Sequence, residues 1–270
     1  MILAIDIGNT NTSFGLFRRE RLVRTFTVPT RECRSRARLS RRLTRLPKLQ
    51  QAIVCSVVPR VTPLVSRAVR SLGCPVVNVV GRDVHVPLKN RYRYPEQVGQ
   101  DRLVGAYAAW CAYGAPRGRP AGWSPERAHE GKSRGAAGRH VIVADFGTAI
   151  TIDVVTKRGE YLGGVIAPGL DISLEALATR TALLPKIELR EPPDLLGRDT
   201  ANSMRAGLIY GAAALCDGLV AQIKAAYAPG AAVVATGGAS PRIAKHARSI
   251  AYLRPHLVLE GLAILAYSLK

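Results

Sequence analysis

The sequence predicts an α/β protein with mixed sheets, built as two related halves that hold a ligand between them. Three observations predict it. Short apolar, strand-like runs alternate with helix-like segments along most of the chain. A strand–Asp–x–Gly–turn–strand unit at residues 2–17 recurs at residues 141–151. A third apolar run, Ala231 to Ala235, ends in Thr236-Gly237-Gly238, and such a glycine pair lets a backbone approach a ligand closely.

The elements follow in order. Ile2-Leu3-Ala4-Ile5-Asp6-Ile7 is a short apolar run fit for a buried strand. Gly8-Asn9-Thr10-Asn11 is a turn and Thr12 to Phe17 a second β-rich run, so the start of the chain reads as a hairpin. A carboxylate at the strand end, followed by small amide and hydroxyl residues, suits a polyphosphate. Backbone N–H groups and hydroxyls reach phosphate oxygens, and the carboxylate faces a metal ion, directly or through water. Gln51 to Val58 is a strand candidate ended by Pro59, Thr62 to Leu72 has helical spacing, and Cys74 to Val80 is strand-like. Arg102 to Tyr113 and the alanine-rich Ala201 to Ala226 read as helices. In the repeat, placing Asp6 on Asp145 also places Gly8 on Gly147 and Thr12 on Thr151.

Composition bounds the partners. A chain of 270 residues with 47% hydrophobic residues has room for one large domain or two smaller ones and is too apolar to be disordered throughout. Lys and Arg number 39 against 19 Asp and Glu, a net charge of +20 that suggests an anionic partner. The excess is concentrated: net +10 between Arg18 and Lys48, and net +4 between Gly114 and His140. Phe26 is the only aromatic residue of the first stretch, short of the stacking platforms that nucleic-acid grooves use, so it reads as a solvated arginine-rich face. The second stretch is rich in Gly and Pro without a period and reads as a long surface loop, dividing the chain into domains at 1–113 and 141–270 around a 114–140 loop. Gly131-Lys132-Ser133 within it imitates the end of a phosphate-binding loop, but Glu126 stands where that pattern needs a glycine. The start of the chain lacks the basic leader of a targeting signal. Ala206 to Val220, the most apolar stretch, is short for a membrane span and carries Asp217, so no membrane partner is expected. The cysteines at 33, 55, 74, 111 and 216 form no CxxC pair and read as reduced thiols in a cytoplasm. The five histidines show no ligand spacing.

At these motifs the chain resembles the type III pantothenate kinases of bacteria, in the acetate and sugar kinase/Hsp70/actin superfamily. The resemblance rests on an ordered set: Asp6 to Ser13, Ser56-Val-Val-Pro59, Gly99-Gln-Asp-Arg102, Asp145-Phe-Gly-Thr-Ala149 and Gly163 to Gly169. Gly197-Arg-Asp-Thr200, Ala235-Thr-Gly-Gly238 and Leu259-Glu-Gly-Leu262 complete it. It implies duplicated ribonuclease H-like (actin-like ATPase) domains with an interdomain nucleotide cleft. It also implies a homodimer and the ATP-dependent phosphorylation of pantothenate, the first step of coenzyme A biosynthesis. Position by position, it assigns the ATP phosphate turn to Asp6, Ile7, Gly8, Asn9, Thr10, Asn11, Thr12 and Ser13, with Thr148 a further ATP contact. The catalytic aspartate falls on Asp101. Tyr92, Gly99, Gln100, Arg102 and Thr200 fall on pantothenate contacts. Asp145 falls on the holder of a monovalent cation, K⁺ or NH₄⁺, while Mg²⁺ accompanies ATP. Gln100 stands where many relatives have a small residue, and Asp199 replaces a common asparagine.

The chemistry is coherent. Phosphoryl transfer is mostly positioning and charge neutralisation. Asp101 follows a glycine at the start of a helix-like segment, where a carboxylate is held as an anion that orients an alcohol and accepts its proton. Arg102 can fork onto a substrate carboxylate. Two alternatives stay open at this point: a nucleic-acid-binding or transcription accessory protein that keeps the fold, motivated by the charge, and a kinase of the same superfamily acting on another small alcohol. Intact Asp6, Asp101, Asp145 and Thr200 favour the pantothenate kinase, and nucleic acid is not the expected partner.

Overall fold

A computed structural model describes residues 1–44, 46–116 and 138–269. Most of the expected basic loop, including Gly131-Lys132-Ser133, lies outside the described residues. Two compact units are present. The first comprises Met1–Gly138, Arg158–Tyr161 and Leu257–Lys270, and the second Arg139–Lys157 and Leu162–His256.

The first unit opens with β1 (Ile2–Ile7), β2 (Asn11–Arg18) and β3 (Arg21–Pro29), then α1 (Arg36–Leu43), β4 (Gln51–Ser56), α2 (Thr62–Ser71) and β5 (Val77–Val79). The short β6 (Lys89–Asn90) precedes α3 (Gln100–Ala109), which runs on through a π turn at Trp110–Gly114. The sheet order is β3-β2-β1-β4-β5, antiparallel on the β2 side of β1 and parallel on the β4 side. The two-residue alternation of β1 divides its side chains. Leu3, Ile5 and Ile7 join Phe14, Leu16 and Val54 in one core with Leu39 and Leu43 of α1 and Val65 and Val69 of α2. Ile2, Ala4 and Asp6 face the other way.

The second unit contains β7 (Val141–Phe146), β8 (Ala149–Val155), β9 (Glu160–Pro168), α4 (Leu170–Arg180), α5 (Thr200–Ala226), β10 (Ala232–Thr236), α6 (Ser240–Ile243) and β11 (Tyr252–Leu253). Glu160 and Tyr161, the first residues of β9, belong to the first unit and pair in parallel with β6. The order β9-β8-β7-β10-β11 repeats the first sheet strand for strand, again antiparallel in the hairpin and parallel beyond it. This is the duplicated ribonuclease H-like architecture. Ile142, Ala144, Phe146, Ile150, Ile152 and Val154 pack with Ile209, Ala213, Cys216 and Val220 of α5.

The last helix, α7 (Leu257–Ser268), packs on α3, β1, β2 and β4, so it belongs with the first unit and not with the 141–270 half to which the sequence division assigned it. Its residues are apolar on nearly every side because it is buried on nearly every side, Leu257 to Ala266 being core except for Glu260. Two further readings change. The turn of the first hairpin has three residues between its strands and that of the second has two, so Asp6 pairs with Ser13 while Asp145 pairs with Thr151. Ser13, rather than Thr12, is therefore the counterpart of Thr151. And α5 is 27 residues, long and apolar enough to cross a bilayer by length and composition, where the 206–220 stretch alone looked too short. Its apolar face is used in the second core.

Candidate functional site

In the first unit, the site begins where β1 ends. Antiparallel and parallel pairing set Asp6 directly beside Ser13 on β2 and Cys55 on β4, on the face of the sheet away from α1 and α2. That face is covered by α7 and α3, and Gly15 on it is in reach of Leu259. The turn after Asp6 is braced from behind. The Gly8 amide donates to the Asn11 carbonyl at 3.0 Å. Thr30, 22 residues away, donates its hydroxyl to the Gly8 carbonyl at 2.7 Å and its amide to the Thr10 carbonyl at 2.9 Å. Its hydroxyl also lies 3.0 Å from that of Thr12. Asn9, Thr10 and Asn11 stay exposed at the tip, whereas Ile7 and Thr12 are fully buried and offer a ligand only their backbone. Thr30 escaped the sequence analysis because its role depends on a contact across two strands, and no local motif marks it.

The second component is the start of α3. Gly99 is its N-cap, with Gln100, Asp101 and Arg102 forming the first turn. The Asp101 Oδ1 accepts the amide of Arg102 at 2.8 Å, one of the donors that a helix start leaves without a helical partner. A Cβ on Gly99 would collide with that same oxygen, so glycine is what lets the carboxylate lie back over the cap. The start of α3 meets the end of β1: Gly99 packs against Val57, whose amide donates to the Ile7 carbonyl at 3.0 Å. Burial, the larger cause, and then the carboxylates of Asp6 and Asp101 hold the Cys55 thiol well above its ordinary pKa. Cys55, paired across the sheet with Asp6, is thus a neutral filler and not a nucleophile.

Gln100 lies against Gly81, which has φ +85° and would place a Cβ 3.0 Å from the Gln100 amide carbon. The turn beneath it is fixed by Asp83, whose carboxylate accepts the Val79 amide at 2.8 Å and a two-pronged contact from Arg82 at 2.9 and 2.7 Å. The Arg82 guanidinium, with the Val79 amide, lowers the Asp83 carboxyl to about 2. Tyr92 is half-buried in the segment after β6; its amide donates to the Asn90 side chain at 3.0 Å, and Arg91 beside it pairs with Glu160 at 2.7 Å.

In the second unit, Asp145 ends β7, and the three glycine motifs expected from the sequence close around it. The Gly147 amide donates to the Ala149 carbonyl at 3.1 Å to form the two-residue turn, leaving Thr148 exposed at the tip. Gly237, at φ +88°, packs so closely that a Cβ there would collide with the Asp145 carboxylate. Gly169, the N-cap of α4, likewise has no room for a Cβ against the carbonyls of Gly147 and Thr148. The Ala239 amide ties the Gly237 segment to the Phe146 carbonyl at 3.1 Å. Thr200 stands exposed as the first residue of α5, behind a cap in which Asp199 accepts the Asn202 amide at 2.8 Å and its side-chain N–H at 2.7 Å. Asp199 keeps its cap role in place of asparagine, and those contacts hold its carboxyl below the usual range.

Among the described residues, no three His, Cys, Asp or Glu side chains form a metal cluster. Each unit instead presents one carboxylate at a strand end beside a tight turn, with oxygen and backbone N–H groups around it. That donor set fits a hard cation shared with phosphate oxygens.

The family model for type III pantothenate kinase matches residues 2–118 and 128–222. The chain is 37% identical over 98% of its length to "Type III pantothenate kinase 1" of Symbiobacterium thermophilum, covering 96% of that protein. It is 38% identical to the "Type III pantothenate kinase" of Anaeromyxobacter sp. strain K, covering 98% of both chains. A solved Baf family protein from Campylobacter jejuni superposes with a TM-score of 0.59 at 17% identity, over 98% of this chain and 97% of that one, which is a likeness of fold.

Proposed function

The chain belongs to the type III pantothenate kinase family, and from that premise we propose that it transfers the γ-phosphoryl group of ATP to the primary hydroxyl of pantothenate, yielding 4′-phosphopantothenate for coenzyme A biosynthesis. The observation that carries the reading is the packing of the start of α3, which bears Asp101, against Val57, whose amide donates to the carbonyl of Ile7 beside Asp6 at the phosphate turn. A phosphate-side carboxylate and an alcohol-side carboxylate in one neighbourhood are what an in-line transfer to a hydroxyl needs.

The residues take these parts in the proposal. The braced turn Gly8-Asn9-Thr10-Asn11 offers amides and side-chain oxygens to the ATP phosphates, with Asp6 toward the accompanying Mg²⁺ and Ser13 beside it. Bound with ATP, Mg²⁺ neutralises charge on the phosphate oxygens. Asp101 orients the pantothenate hydroxyl and takes its proton as the bond from oxygen to phosphorus forms and the bond to ADP breaks. Its acceptance of the Arg102 amide holds the carboxylate in one orientation. Arg102 forks onto the pantothenate carboxylate. Tyr92, Gly99, Gln100 and Thr200 complete the pantothenate contacts, Thr148 meets ATP, and Asp145 holds K⁺ or NH₄⁺. The enzyme acts in the cytoplasm as a homodimer, which sizing by light scattering checks.

The test is turnover of the full chain with ATP, Mg²⁺ and K⁺, read as ADP release. Release that depends on pantothenate and yields a phosphorylated product supports the reading. Release that ignores pantothenate but responds to a sugar or polyol moves the chain to another alcohol, and no release with any acceptor sinks the kinase.

A further inference from the structure

The hairpin that carries Asp145 carries a second carboxylate that none of these roles uses. In the β7–β8 register Asp145 lies opposite Thr151 and Val143 opposite Asp153, so Asp145, Thr151 and Asp153 share one face of the sheet. The other face is the apolar core under α5. Asp153 is only 2% exposed. A carboxylate removed from water to that extent is costly unless hydrogen-bonded, so its contacts need a purpose or a strong local reason. One contact is the Thr151 hydroxyl, which donates to Asp153 Oδ2 at 3.2 Å. Room for the other oxygen comes from β9: a Cβ on Gly164 would stand 2.5 Å from Asp153 Oδ1.

A threonine hydroxyl has one proton and two lone pairs. With the proton committed to Asp153, what Thr151 Oγ1 can offer a further neighbour is electron density. Its cross-strand neighbour is Asp145, at the ~5 Å Cβ spacing of directly opposed residues. Two oxygens of this kind, one anionic and one with its lone pairs presented, suit a hard monovalent cation, and the negative charge of Asp153 behind the hydroxyl makes it a better donor. We infer that Thr151 supplies a second oxygen to the monovalent cation held by Asp145, and that buried Asp153 is the positioning residue that turns the hydroxyl toward it. This rests on the kinase reading for the cation's purpose, though not for its binding.

The experiment uses the full chain. Thermal unfolding is followed in KCl and in tetramethylammonium chloride at equal ionic strength, without nucleotide or pantothenate, and turnover is separately titrated with K⁺. Wild type has the higher Tm in KCl, because an ion that binds only the folded state stabilises it. Thr151→Val removes that KCl-specific increment and raises the K⁺ activation constant about tenfold or more. Thr151→Ser, which keeps the hydroxyl, retains both responses. Asp153→Asn shifts the activation constant in the same direction as Thr151→Val. Should that variant not fold, the Thr151 pair decides alone. The inference is overturned if Thr151→Val keeps the wild-type increment and activation constant, or if wild type phosphorylates pantothenate with no K⁺-specific response. A wild type without pantothenate turnover whose KCl increment vanishes in Thr151→Val would remove the kinase reading and leave the cation site standing.

Discussion

Asp101 and Gly99 act as a pair, because the carboxylate occupies the space that a side chain on the glycine would take. Asp101→Asn keeps the size and the cap but loses the proposed proton acceptor. Its turnover should fall by about 10²-fold or more with the KM for MgATP within a few-fold, read by coupled ADP release. Gly99→Ala should leave the fold intact, since the colliding atom is the mobile end of a side chain. It should still lower kcat by about tenfold or more, because the carboxylate must turn away from its place. A Gly99→Ala enzyme with wild-type kcat would show that the orientation of Asp101 does not matter. At this scale Asp6, Asp101 and Asp145 were legible from the sequence as residues in recognisable local patterns. Thr30 and Cys55 were not, because each acquires its meaning from groups far away in the chain, and neither was Asp153, whose place on the Asp145 face depends on the β7–β8 register.

At the scale of elements, the turn after β5 lies against Gln100 at the start of α3, and α7 packs along α3. Asp83 titrates lower in the folded protein, near 2, than in an unfolded chain, near 4. Its contribution to stability is therefore complete above pH ~4 and is lost as the pH falls toward 2. The Arg82 contact is well exposed, so the contribution is small. Asp83→Asn should lower Tm slightly at pH 6, and its gap from wild type should close at pH 2–3; a gap that persists in acid would remove the ion pair as its cause. Gly261 of α7 sits where a Cβ would stand 2.5 Å from the Val104 carbonyl of α3. Gly261→Val should force the helices apart and cost about 1–3 kcal/mol or more, visible as a lower Tm and a weaker pantothenate KM. Periodicity and apolar runs were sufficient to place β1, β2, β4, α2, α3, α5 and β10. They were insufficient for β3, an exposed edge strand rich in arginine, whose strand identity comes from its pairing with β2.

At the scale of the molecule, the chain ends in the unit where it begins. Leu257–Ser268 packs on α3 and on β1, β2 and β4, so its removal uncovers apolar surface on both the helix and the first sheet. A chain ending at His256 should lose cooperative unfolding of the first unit and fall out of solution, checked by differential scanning calorimetry and by the soluble yield. Retention of a wild-type transition would mean that α7 is dispensable to that core. The charge also changes meaning. Of the +20 balance, net +10 lies on the hairpin and helix between Arg18 and Lys48, outside every carboxylate turn. The proposed site is built from aspartates, and its proposed anion is a phosphate held with cations.

By itself the sequence determined the strand–Asp–x–Gly turns, the duplication and the family, because such hairpins are encoded over a dozen contiguous residues and their order along the chain is specific. The tertiary structure alone decided which strand partner faces each aspartate, that the two hairpin turns differ by one residue, and that the last helix returns to the first sheet. The physical reason is that register and burial are set by packing between segments far apart in the chain. A single-residue difference in a turn moves a side chain to the opposite face of a sheet without leaving any mark in the local pattern.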